Sequence, residues 1–87
     1  MQAIITTKYV IELNSKVVFA YHSKEGWQFF GAEKDIKESD SRVVSLGNLI
    51  SSNPHIKNIL WIEEGMEAWV NSDNNAWQAG ISQSGGL

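Results

Sequence analysis

Two short apolar runs, Val17-Val18-Phe19-Ala20-Tyr21 and Trp27-Gln28-Phe29-Phe30, stand on either side of His22-Ser23-Lys24-Glu25-Gly26. Runs of this length, rich in β-branched and aromatic residues, read as strands, and a glycine at the reversal supplies the positive φ that a tight turn often needs. The pair predicts an antiparallel hairpin. The first strand, residues 17–22, opens with apolar residues on both faces, so it belongs in the middle of a sheet and is covered on both sides. An isolated hairpin is marginal in water, so the rest of the chain must supply further strands and a cover.

The flanking segments fit that demand. From Ile5 to Leu13 the odd positions Ile5, Thr7, Tyr9, Ile11 and Leu13 alternate with Thr6, Lys8 and Glu12. This predicts a half-buried strand, or two short pieces of one, because Val10 breaks the alternation. Asn14-Ser15-Lys16 reads as a turn. Residues 32–42 are polar, holding Glu33, Lys34, Asp35, Lys37, Glu38 and Asp40, and predict an exposed loop with a helical turn around Asp35 to Glu38. Val43-Val44, Leu46, Leu49 and Ile50 then take up helical spacing, with Ser45 as N-cap. Asn53-Pro54 stops that helix, and Pro54 can open a second helical turn with Ile56 facing inward. Ile59-Leu60-Trp61-Ile62 reads as a buried strand with Trp61 in the core. Glu63-Glu64-Gly65 makes a turn, and residues 66–70 and 76–79 form two edge strands joined by Asn71-Ser72-Asp73-Asn74-Asn75. The expected architecture is α+β: a mostly antiparallel sheet of about five strands with one or two short helices on one face. Residues 1–79 form one globular domain and residues 80–87, with three glycines, a flexible tail.

The chain has 87 residues, enough for one domain with a small core. A net charge of −3 argues against nucleic acid, whose phosphates demand clustered Lys and Arg. No apolar run approaches the length of a membrane helix or a signal peptide, so a cytoplasmic location without a membrane partner is expected. The absence of cysteine excludes disulfides, thiol nucleophiles and cysteine-ligated metal.

Catalytic patterns are thin. His22 and His55 are the only imidazoles; Glu25 lies three positions after His22, but in a tight turn rather than on a helix, so no metal site and no cofactor is expected. No serine lies in a Gly-x-Ser-x-Gly elbow. An enzyme would have to work with carboxylates alone. Glu63, Glu64 and Glu67 cluster around Gly65, with Asp73 beyond. The cluster is open to three readings: a solvated turn, a hard-cation or acid–base site, or an acidic patch for a basic protein partner. Four tryptophans are many for this length, and each is either a core block or a protein-binding anchor. Trp69 and Trp77, on the edge hairpin beside the acidic turn, are the anchor candidates.

The order of features resembles a family of small domains grouped with bacterial immunity proteins, the immunity-protein-33-like family. The matching pieces are a strand at Ala3 to Thr6, Lys16-Val17-Val18-Phe19-Ala20-Tyr21, the Gly26-Trp27-Gln28-Phe29-Phe30 hairpin and an acidic loop. Val44-Ser45-Leu46-Gly47-Asn48-Leu49-Ile50, Asn53-Pro54-His55-Ile56 and Glu64-Gly65-Met66-Glu67-Ala68 complete it. This chain differs in having Gly31 directly after Phe30, Lys34 and Lys37 among the loop acids, and His22 after the second strand. The resemblance implies a non-catalytic protein that binds and neutralises a cognate toxin. The expected contact residues are Glu63, Glu64, Glu67, Trp69 and Trp77, with Asp35, Glu38 and Asp40 as a second choice. A small-molecule-binding or regulatory domain, with its pocket between the sheet and residues 46–59, is the alternative. An exposed aromatic edge also allows a homodimer.

Overall fold

The computed structural model describes residues 2–82. A single six-stranded sheet runs in the order β4-β1-β3-β2-β5-β6. In chain order the elements are β1 (Ala3–Thr7), α1 (Lys8–Glu12), β2 (Phe19–Ser23), β3 (Gly26–Phe30), a single 3-10 turn (Glu38–Asp40), β4 (Ser41–Ser45), α2 (Leu46–Ser52), a 3-10 helix (Pro54–Ile59), β5 (Met66–Val70) and β6 (Trp77–Ile81). All neighbouring pairs are antiparallel except β1 with β3. The α+β class with a mostly antiparallel sheet is as expected, with a sixth strand added.

The β2–β3 hairpin lies where the apolar runs placed it. Ala20 pairs with Phe29 and Ser23 with Gly26, whose φ of +128° only glycine adopts readily. Val17 and Val18 fall just outside β2, yet Val18 still joins the ladder. Its N–H donates to the Phe30 carbonyl and its own carbonyl accepts from Val70 N–H, both at 2.9 Å. Val17 is fully buried, and side chains satisfy its backbone: its N–H donates to Asn53 Oδ1 at 3.1 Å, and its carbonyl accepts from His55 Nε2 at 2.7 Å. The Asn-Pro-His step therefore ties the 3-10 helix to the strand entrance.

Several segments depart from what the sequence pattern predicts. The alternation from Ile5 ends at Thr7, which caps α1 by accepting from Val10 N–H. Val10, the residue that broke the strand pattern, is 2% exposed in the core. Val43 and Val44 belong to β4, antiparallel to β1, and the helix begins only at Leu46 with Ser45 as its cap. The turn expected around Asp35 to Glu38 lies at Glu38–Asp40.

Ile59-Leu60-Trp61-Ile62 is no strand either. Ile59 ends the 3-10 helix, Leu60 and Trp61 form a turn, and Trp61 is 65% exposed. A 3-10 helix repeats every three residues, so Ile56 and Ile59 share a face and Ile62 follows in the same direction; all three are buried. β6 extends through Gly80 and Ile81, two residues assigned to the tail, and Ser82 N–H donates to the Gly65 carbonyl. Residues 83–87 of that tail lie outside the described residues.

The core sits on one face of the sheet. Leu49 of α2, Ile56 and Ile59 of the 3-10 helix and Val10 of α1 meet Ile4, Trp27, Phe29, Ala20 and Ala68 from the strands. Among the described residues no helix is long and apolar enough to cross a membrane.

Candidate functional site

Residues that pair across an antiparallel ladder point to the same side, and successive residues in a strand point to opposite sides. Applied to the registers, this sorts the sheet into two faces. The core cluster includes Val44 but not Val43, Ile4 but not Ile5, Phe29 but not Phe30, Ala20 but not Phe19 or Tyr21, and Ala68 but not Trp69. The excluded residues share the second face, opposite the one on which the helix residues of the core cluster pack.

That open face is unusual in composition. An antiparallel sheet with one solvated side normally turns polar residues outward. Here one row across the strands reads Phe30, Phe19, Trp69, Gln78, in direct register. The next reads Val43, Ile5, Gln28, Tyr21, Glu67, Gly80. The Phe19 and Phe30 rings lie 6.2 Å apart between centroids and tilted. Trp69 reaches diagonally over Gly80, where an added Cβ would stand 3.6 Å from the indole. Val43 is 71% exposed, Ile5 40% and Trp69 39%, whereas Tyr21 is buried between its cross-strand neighbours Gln28 and Glu67. Glu67 is the only charged residue that the six strands place on this face.

The five residues expected to form one contact surface are divided by the sheet. Trp69 and Glu67 stand together on the open face. Trp77 pairs with Val70 on the covered side, where its indole N–H donates to the His55 carbonyl at 3.1 Å and its ring stacks on His55. Glu63 and Glu64 are exposed on the turn into β5, which Gly65 N–H fastens to the His22 carbonyl at 2.7 Å. Of the second-choice acids, Asp40 is buried and structural. Its carboxylate accepts from Lys37 N–H at 3.0 Å and from Tyr9 Oη at 3.3 Å, and faces Lys8 Nζ at 3.4 Å. The Lys37 backbone donor, assisted by Lys8 and Tyr9, holds the Asp40 carboxyl below its ordinary value against the opposing effect of burial.

Phe19 and Phe30 are functional candidates that were not expected from the sequence. A signal for them was present: Phe29 and Phe30 are adjacent in one strand, so one must face away from the core. The imidazoles are both engaged. His22 Nδ1 donates to the Ile62 carbonyl at 2.8 Å while its ring stacks on Trp27 at 4.2 Å, and His55 is bonded to Val17. A carbonyl only accepts, so the ring nitrogen facing it carries the hydrogen in each case. Among the described residues no group of three or more His, Asp or Glu is placed to hold a metal ion. The space between sheet and helices, where a ligand pocket was considered, is occupied by Leu49, Ile56 and Ile59, each at most 1% exposed. An open cleft of about 240 Å³ lies elsewhere, at Ile4, Ile5, Trp27 and Val43. Comparison with family models, with curated proteins and with solved structures finds no match.

Proposed function

We propose that this chain is a non-catalytic protein-binding domain that works as bacterial immunity proteins do, neutralising a cognate toxin by direct contact, with the open sheet face as the contact surface. One observation carries this reading: Phe19, Phe30 and Trp69 form a continuous row on the sheet face opposite the core cluster. Trp69 of this row is exposed and Phe19 and Phe30 are half-buried; contiguous apolar surface marks interaction sites, and aromatic side chains dominate the energetics of protein contacts. A net charge of −3 suits a basic target, since complementary charge steers encounter and selects partners.

Affinity capture from extract of the source cell, read by mass spectrometry, tests the proposal when run on three forms of the protein. The unaltered chain should retain one stoichiometric partner. Phe19→Ala with Trp69→Ala should lose it, and Trp61→Ala, which alters an exposed aromatic elsewhere, should keep it. Retention by the double variant would exclude the open face. A co-purifying small molecule without a protein would favour the ligand-binding alternative.

A further inference from the structure

We infer that the open face receives a cationic side chain of a protein partner, an arginine guanidinium or lysine ammonium held by the Glu67 carboxylate and the Trp69 ring. This inference rests on the protein-binding reading above and names the chemistry of what is bound. Glu67 stands on the open face beside Tyr21, two residues before Trp69 on the same strand and the same side. Among the described residues its carboxylate makes no hydrogen bond or ion pair. Docking any surface here strips water from that carboxylate. A buried carboxylate without a partner is costly, so the docked surface must bring a cation.

The surroundings suit one. A cation is attracted to the face of an indole as well as to a carboxylate, and guanidinium is weakly hydrated and stacks readily on aromatic rings. Phe19, directly across from Trp69, and Phe30 beyond it provide an apolar seat for the residues flanking that cation.

The same charge argument separates the candidate occupants. A second copy stacked face to face would bring two Glu67 carboxylates into one interface. Neither face carries a Lys or Arg on its strands to pair with them, because Arg42 of β4 points to the other side and pairs with Glu12. An uncharged apolar partner would leave Glu67 buried and unpaired. A basic partner satisfies both the carboxylate and the aromatic row.

The test is a titration followed by backbone and indole amide NMR signals, with the capped tripeptide acetyl-Leu-Arg-Leu-amide as probe. Its citrulline counterpart, which has the same shape without the charge, is the control. The arginine peptide is expected to shift Glu67, Trp69, Phe19 and Phe30 together. The citrulline peptide, or the arginine peptide on Glu67→Gln, should bind about fivefold or more weakly, and added salt should narrow that gap. Equal binding of the two peptides at this face would overturn the cation proposal and leave the protein-binding reading standing. Shifts confined to other surfaces, or none, would overturn the cation proposal, and the capture experiment would then judge the broader reading alone. Sedimentation showing a dimer whose formation protects this face would overturn it in favour of a second copy.

Discussion

Removing the Asn53 side chain should destabilise the fold more than its place in a connecting loop suggests. Asn53 is 5% exposed, and its Oδ1 is the acceptor for the N–H of Val17, a fully buried residue. Asn53→Ala leaves that donor buried without a partner. Such a group costs about 1–3 kcal/mol, whereas the second bond of the side chain, from Nδ2 to Ser52 Oγ, is half-exposed and adds little. A loss of about 2 kcal/mol is a large fraction of the roughly 5–15 kcal/mol that holds a domain together. It should lower Tm by about 8–16 °C, at about 4–8 °C per kcal/mol for a chain of this size. Urea unfolding followed by circular dichroism measures it, with the m-value expected to stay constant. Asn53→Asp keeps the acceptor and should recover most of the loss. His55→Ala releases the carbonyl of the same Val17. The two alanine changes should therefore fall short of additivity, because the first already frees part of what the second disrupts. A loss below about 0.5 kcal/mol for Asn53→Ala, or equal damage from Asn53→Asp, would refute the idea that this side chain anchors the strand entrance.

Three other outcomes follow from the same geometry. Gly26→Ala and Gly47→Ala should have opposite signs in thermal unfolding, although an added Cβ meets nothing within 4 Å at either site. The first forces a φ of +128° on an L-residue and costs about 1–3 kcal/mol, while the second removes a helix-weakening glycine from α2 and gains up to about 1 kcal/mol. Trp77→Phe removes the hydrogen bond to the His55 carbonyl and should cost about 1 kcal/mol in urea unfolding, whereas Glu67→Gln, which breaks no contact, should stay within about 0.5 kcal/mol. Asp40 is held below its ordinary value of 3.8, so its ionised form stabilises the fold above that pH, and the contribution disappears as the pH falls through the lowered value. Asp40→Asn should therefore flatten the acid limb of a stability–pH profile between about pH 5 and 2, and an unchanged limb would show that other carboxylates control it.

Local pattern carried much of this fold. Alternation and a turn glycine located the β2–β3 hairpin, Ser45 marked the start of α2, and Pro54 opened the 3-10 helix. Each signal is a covalent preference or a period within a few residues, and needs no knowledge of distant partners. The errors arose where a short apolar string fits two periods. Ile59-Leu60-Trp61-Ile62 fits a buried strand as well as the end of a period-three helix, and only the packing of Ile56, Ile59 and Ile62 against one sheet face decides between them. Val43-Val44 fits a helix until β1 supplies five consecutive pairing positions beside it.

The candidate site was legible in its chemistry but not in its membership. The sequence alone determined that the chain is acidic, lacks cysteine and is rich in tryptophan, and these facts turned attention toward aromatic and carboxylate contacts. Glu67 emerges from it as part of the acidic cluster around Gly65, and Trp69 as an aromatic of the edge hairpin beside that cluster. Their separation from Trp77, the exposure of Trp61, and the row that joins Phe30 and Phe19 to Trp69 were decided by tertiary structure. The physical reason is that a sheet face is assembled from residues on different strands. Strand parity states only that two side chains share a side, while the pairing of β3 with β2 and of β2 with β5 decides which rings become neighbours and which side the helices cover.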